Sequence, residues 1–342
     1  MLDKMEAAEI IIQGSCAQMR NKKNSQNRLY GVPEKFSSFI SDLHAHITQA
    51  FPKEKTDQEK KEIAEKNILT KIIRIHNTAI TVREIPTSNP NTPIYVCRNT
   101  PPKPPLLGSI SQIHRTASQE LSQYATNSTS GGIVLISSIP GRGNTFISAS
   151  AYGTMIDTHG GVGLYISRTH PYDLNGPTSR QTGCTIQFQL PESEEEVNPS
   201  LIRALAVSPR LGFIDTITTP EDAKIALELA SSGVLIFLAA DAGSALSAIE
   251  LLVTKASTAY GNLDTARNIT ASVLRAAIHV EDNDPEKTKY IFLGDPENNP
   301  ANTSVSDKIR NGHIPTLKSN MDSQTSLITS GKSPIPKSVM QR

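Results

Sequence analysis

The apolar positions of this chain follow two regimes. Beyond the first third they gather into short unbroken runs, "GGIVLIS", "GVGLYIS", "RLGFIDTI" and "GVLIFLAA", each followed by a segment with apolar residues at helical spacing. Such runs predict strands buried on both faces, so from Ser109 onward the pattern predicts an α/β unit, a mostly parallel sheet flanked by helices. "TIQFQL", Thr185 to Leu190, alternates instead and predicts an edge strand with Ile186, Phe188 and Leu190 on one face. One helix start is fully marked: Thr219 as cap, Pro220 at the first helical position, Asp222 at the third, then "AKIALELA" and a stop at Gly233. "SALSAIELLVTKA" and "TARNITASVLRAAIHV" read as helices and "KYIFLG" as a strand. The Ser-, Asn- and Pro-rich residues after Pro296 read as a tail, flexible over 319–342.

The first 85 or so residues are more polar and read as helix-rich. "MEAAEIIIQGSCAQM", "EKFSSFISDLHAHITQAF" and "KEKTDQEKKEIAEKNILTKIIRI" are the candidate helices, the second with Phe36, Phe39, Ile40, Leu43 and Ile47 at helical spacing. "TAITVREI" reads as a strand, and "PTSNPNTPIYVCRNTPPKPPLLG" as a Pro-rich linker between domains. The expected plan is a reduced, smaller N-terminal α+β domain over 1–105, a core over 106–318 and the tail, with no internal repeat.

Composition narrows the function more than the fold. With no Trp and 5% aromatic residues, the core must be built from Leu, Ile, Val and Ala. A net charge of +1 gives no global field to draw the chain to nucleic acid or to an anionic membrane. Cys16, Cys97 and Cys184 are too few and too widely spaced for a disulfide framework or a zinc site, and read as reduced thiols of a cytosolic protein. No apolar run approaches the ~18 residues of a membrane span, and the N-terminus is acidic rather than signal-like.

The candidate chemistry lies in "LISSIPGRGNTF". A phosphate-binding loop needs glycines that let backbone N–H groups turn inward, a lysine for the β and γ phosphates, and a hydroxyl for Mg²⁺. The octet here is Ser138-Ile139-Pro140-Gly141-Arg142-Gly143-Asn144-Thr145, which keeps a glycine and the hydroxyl but has Asn144 in place of lysine. Weaker candidates are "DLHAH" (Asp42, His44, His46) as metal ligands and "ESEEE" (Glu192 to Glu196), which reads as a solvated loop. Ser, His and Asp are all present, yet no G-x-S-x-G elbow supports a hydrolase.

The order of segments around the loop resembles the secretion and pilus-retraction ATPases of the PilT and DotB type, from Arg98 to about residue 320. Those proteins carry "GIVLVTGPTGSGKST", an acidic "EDP" box, "LR…DPDVILVGEIRD", "ETAEIALRAAETGH" and "LVLATLHTNSA". This chain has "GGIVLISSIPGRGNTF", "GLYISRTHPYD", "LIRALAVSPRLGFIDTITT", "PEDAKIALELASSGV" and "LIFLAADAGSA". The resemblance implies a P-loop NTPase-like (RecA-like) fold, but its charged positions are replaced. The loop lysine is Asn144, the acidic box falls on Thr169 and His170, the catalytic glutamate on Thr216, the Arg and Asp after it on Thr218 and Thr219, and the histidine on Asp241.

Asp215, one position earlier, is the candidate for a displaced base, but strand alternation is expected to turn it away from the loop. The resemblance therefore implies a catalytically degenerate subunit of a type IV secretion or type IV pilus machine. Its expected partners are an active paralogue in a six-fold ring and membrane-embedded components, which would place it in the cytoplasm at the inner membrane. No cofactor is assigned, and weak Mg-ATP binding through the loop and Thr145 stays open. So do a slow ATPase that uses Arg142 and Asp215, and a non-catalytic binding module.

Overall fold

Alternation rather than helical spacing governs the first unit of the chain. The computed structural model describes residues 7–13, 16–21, 29–51, 69–75, 78–85, 87, 93–100, 103–127, 131–140, 142–168, 172, 174–189, 194–281, 284–293 and 303–334. These divide into two compact units, Met1–Lys103 with Pro171–Asp173, and Pro104–His170 with Leu174–Arg342.

In the first unit, β1 (Ala7–Gln13), β2 (Cys16–Asn21), β3 (Leu29–Gly31), β4 (Leu69–Ile75), β5 (Thr78–Ile85) and β6 (Ile94–Thr100) form an antiparallel sheet in the order β3-β2-β1-β6-β5-β4. Helix α1 (Ser37–Ala50) supplies Phe39, Leu43 and Ile47 to the core, which also holds Ile10, Ile12, Ile80, Val82 and Cys97. The predicted α1 is therefore present, but three other expectations change. "AAEIIIQ" and "CAQMRN" are strands, because Ile10 and Ile12 are buried at a period of two and consecutive β-branched residues crowd a helix. "LTKIIRI" is likewise a strand, while residues 53–68 of that expected helix lie outside the described ones. "IYVCRNT", assigned to a linker, is β6, hydrogen-bonded between β1 and β5. Burial pushes the Cys97 thiol up to about 12, and all three cysteines are free.

The second unit is built on an eight-stranded sheet. Helix α2 (Arg115–Asn127) precedes β7 (Gly132–Ser138), α3 (Asn144–His159), β8 (Gly161–Ser167), β9 (Gly176–Pro177), β10 (Gly183–Gln189) and α4 (Glu194–Ala206). Then follow β11 (Leu211–Ile214), α5 (Pro220–Ser231), β12 (Leu235–Asp241), α6 (Ala245–Tyr260), α7 (Leu263–Val273), β13 (Leu274–His279) and β14 (Lys289–Phe292). The order is β14-β13-β7-β12-β11-β8-β10-β9, parallel except at β14 and β9. Both faces are covered. Ile133, Leu135, Ile236 and Leu238 face a core shared with Ala226, Leu229, Ile249 and Leu252 of α5 and α6. On the other face Tyr152 of α3 packs on Phe213, which stacks on Tyr165. Two-sided burial is why these strands read as unbroken apolar runs.

The capping box at Thr219, Pro220 and Asp222 forms as expected. Four other expectations change. "TIQFQL" is the edge only in part, since the two residues of β9 pair outside Cys184 and Thr185 of β10 and no further along it. "LRAAIH" leaves the expected helix at Val273 and runs as β13 between β14 and β7, where all six residues are buried. A short buried apolar run does not distinguish helix from strand by periodicity. Glu194 to Glu196 open α4 rather than a loop.

Finally, the C-terminal residues continue as α8 (Thr303–Arg310) and α9 (Lys318–Thr329), so 318–329 are not a flexible tail. Met321, Gln324, Thr325 and Ile328 of α9 are buried against the sheet. The Phe292 N–H donates to Gln324 Oε1 (2.6 Å), Gln324 Nε2 donates to the Phe292 carbonyl (3.1 Å), and the Tyr290 N–H donates to Thr325 Oγ1 (3.1 Å).

Gln324→Leu leaves a buried N–H and carbonyl unsatisfied and is expected to cost about 2 to 4 kcal/mol of unfolding free energy, measured by urea titration. A change under ~0.5 kcal/mol would show that α9 contributes little to this unit.

Candidate functional site

The site is set by strand register. Ser138, the last residue of β7, pairs with Asp241, the last of β12, and Ile214 of β11 pairs with both Leu238 and Ile166. The carboxyl ends of β7, β12, β11 and β8 therefore arrive together, where open parallel sheets present ligand-binding loops. From Ser138 the chain turns through the loop, and Gly143 adopts a φ of 102° as the residue before α3. That left-handed conformation favours glycine. Gly141 lies outside the described residues, as do Thr169 and His170, the expected acidic-box positions.

The first turn of α3 is held by side chains from the neighbouring strands. Asn144 is buried; its N–H donates to Ser138 Oγ (3.3 Å) and its Nδ2 donates to Asp241 Oδ1 (3.0 Å). Thr145 Oγ1 donates to Asp215 Oδ1 at 2.9 Å and lies 3.2 Å from Thr216 Oγ1. Ser167 Oγ donates to Asp215 Oδ2 (3.1 Å), and the Thr216 N–H donates to Asp215 Oδ1 (2.7 Å). Asp215 is thus turned toward the loop, which corrects the expectation that it faces away. One residue past β11, it continues the phase of Phe213, which packs against Tyr152 of α3, and so brings its carboxylate to that helix. Arg142 is exposed in the loop.

Two polar centres flank the loop without having been expected. Arg168, just past β8, forms a two-pronged ion pair with Asp222, Nη2 to Oδ1 at 2.6 Å and Nη1 to Oδ2 at 3.0 Å. The N–H groups of Thr218 and Thr219 also donate to Asp222 Oδ2, at 2.8 and 2.9 Å. Burial alone would raise the Asp222 carboxyl, but the Arg168 guanidinium and these N–H groups outweigh it and hold it below the ordinary value of 3.8. The capping residues thereby tie the start of α5 to the end of β8. At the other flank Ser137 Oγ lies 3.1 Å from His279 Nδ1, a buried imidazole that burial pushes below its ordinary range against the opposing pull of Glu281.

The arrangement offers two carboxylates, four hydroxyls and one amide around a helix N-terminus. Thr145 with Asp215 is the pair that could ligate a divalent ion. Among the described residues no group of three or more His, Cys, Asp or Glu could hold a metal; Asp42, His44 and His46 lie along α1, where His46 Nδ1 bonds the Asp42 carbonyl at 2.8 Å. No described helix is long and apolar enough to cross a membrane.

Because Asp222 is depressed when folded, its contribution to stability is present above its unfolded value and is lost as the pH falls through the folded one. Asp222→Asn is expected to cost about 3 kcal/mol at neutral pH. The gap to wild type should narrow only below the ordinary carboxylate value of 3.8, as followed by denaturant titration across pH. A gap that does not change with pH would remove the ion pair from this account.

No protein-family model and no curated protein matches the sequence. Solved structures do. The pilus retraction motor PilT with bound ADP aligns at 14% identity and a TM-score of 0.60, over 96% of this chain and 89% of that one. The ATPase DotB of Legionella pneumophila aligns at 15% identity and 0.56, over 97% and 93%. DotB of Yersinia pseudotuberculosis aligns at 15% and 0.63, over 97% and 88%. From one end of the described chain to the other, this protein has the fold of the PilT and DotB ATPases.

Proposed function

We propose that the chain is a catalytically degenerate relative of the secretion and pilus ATPases, acting as a structural or regulatory subunit of a type IV secretion or type IV pilus machine beside an active paralogue. The observation that carries this reading is the contact between Asn144 and Asp241. At the loop's lysine position stands an amide, and it is tied to a carboxylate rather than left to meet phosphate. ATP brings a charge of about −4 to such a loop, and a positive partner is needed where Asn144 offers only a dipole. Loss of one electrostatic stabiliser costs about 3 to 4 kcal/mol of barrier, and loss of a general base a further ~10² to 10⁴ in rate. The residues present do not fit a nucleotide triphosphate as a substrate. The apolar sheet with α5 and α6 keeps the packed core of the fold, and the ring is taken from the resemblance to the secretion and pilus ATPases.

One observation favours the slow-ATPase reading. Asp215 meets the loop hydroxyl Thr145 at 2.9 Å, so a carboxylate does stand where a metal or a water could be held. A phosphate-release assay on the purified chain separates the two, with Arg142→Ala and Asp215→Asn as controls. The degenerate reading expects no turnover above background in all three proteins. Turnover lost in both variants would replace it with the slow motor. Mass measurement with and without a purified paralogue tests the assembly, and a monomer indifferent to the paralogue would end that part.

A further inference from the structure

We infer that the outward face of α4 is a contact surface for a second copy of this chain, paired with the same helix of that copy about a two-fold axis. This contact uses none of the loop residues and does not depend on the degenerate reading. On its inner side α4 gives Leu201 and Ala204 to the core of the second unit. On its outer side Pro199, Ile202 and Ala206 are exposed, at the spacing of residues that share one helix face. Ile202 is 70% exposed, more than any other large apolar side chain among the described residues.

A single exposed isoleucine needs no explanation. A surface helix, however, keeps one apolar stripe for the core and turns a polar face to water, and a helix that is apolar all round is covered all round. From Pro199 to Ala206 the sequence is "PSLIRALA", with only Ser200 and Arg203 polar. The second half of α4 is therefore of the covered kind, with one side left open.

Charge along the same helix selects the occupant. α4 begins with Glu194, Glu195 and Glu196, and the cation on its exposed face is Arg203. Glu195 falls four residues before Pro199, in line with the stripe, and Arg203 falls four residues after it. Two such helices laid antiparallel, with Pro199 of each against Ile202 of the other, set the acidic start of each beside the Arg203 end of its partner. The same contact then forms twice, once on either side of the axis, as an isologous interface requires. Antiparallel packing also opposes the two helix dipoles. A parallel pair would set acid against acid and Arg203 against Arg203. A helix of 13 residues is about 20 Å long, so the pairing lies at the small end of specific interfaces, with a Kd expected at about 10 to 100 µM.

The test is sedimentation equilibrium of the full chain between about 5 and 200 µM, with thermal melting to confirm that each variant is folded. Wild type is expected to pass from monomer to dimer over this range, and Ile202→Asp and Arg203→Glu each to weaken the dimer at least about tenfold. Ile202→Ser repeats the apolar deletion should Ile202→Asp not fold. The deciding comparison is a mixture. Arg203→Glu alone meets acid with acid at both ends of the contact, and a chain carrying both Glu195→Lys and Glu196→Lys meets cation with cation. Mixed one to one, each supplies what the other lacks, and the mixture is expected to dimerise within about threefold of wild type while neither component does so alone. A wild type that stays monomeric would overturn the inference and assign the stripe to a different protein. Self-association indifferent to Ile202→Asp, or a mixture no tighter than its components, would overturn it as well.

Discussion

The backbone ladder that joins β7 to β12 is the constraint on which the candidate site depends. It is sealed on both faces by Ile133, Leu135, Ile236 and Leu238 on one side and by the layer around Tyr152 and Phe213 on the other, so its register has no freedom to slip. A slip of one residue would turn each of these side chains to the opposite face. Because the ladder is fixed, Ser138 and Asp241 end side by side and α3 starts where it does. The polar network at the loop is a by-product of apolar packing several residues away.

Local chemistry was legible and long-range chemistry was not. The capping box at Thr219 and Asp222 involves residues three apart, and its geometry could be written down from the sequence. The partner of Asp222 could not, because Arg168 lies 54 residues earlier and meets it only once β8 and β11 are paired. The same limit explains β13. "LRAAIH" contains good helix formers, and only its place between two strands decides its conformation. At the N-terminus Ala and Glu suggested helix, whereas the buried pair Ile10 and Ile12 decided for sheet.

The site illustrates the point more sharply. Asn144, Thr145 and Asp241 could be picked out by comparing segments, and the contact of the first with the third could not. Counted from Thr216, the position aligned to a glutamate, alternation turns Asp215 away from the loop; counted from Phe213, whose packing onto α3 sets the face, it brings Asp215 to the loop. Asp215 and Thr216 both lie beyond the end of β11, where strict alternation stops, so both side chains reach Thr145. Alternation is a reliable rule only when anchored on a residue whose face is known.

The side chain of Gln324 imitates a peptide group: it accepts from the Phe292 N–H and donates to the Phe292 carbonyl, as an adjoining strand would. Its amide thus terminates the sheet at β14, while at the far margin β9 offers only two residues for pairing. Among the described residues the β14 margin is thus occupied by Gln324 and Thr325, whereas β9 covers β10 only at Cys184 and Thr185. Extending the sheet past β14 would therefore undo the docking of α9 on it, so the same two side chains that complete the fold at this margin also decide whether the margin can be shared with another strand.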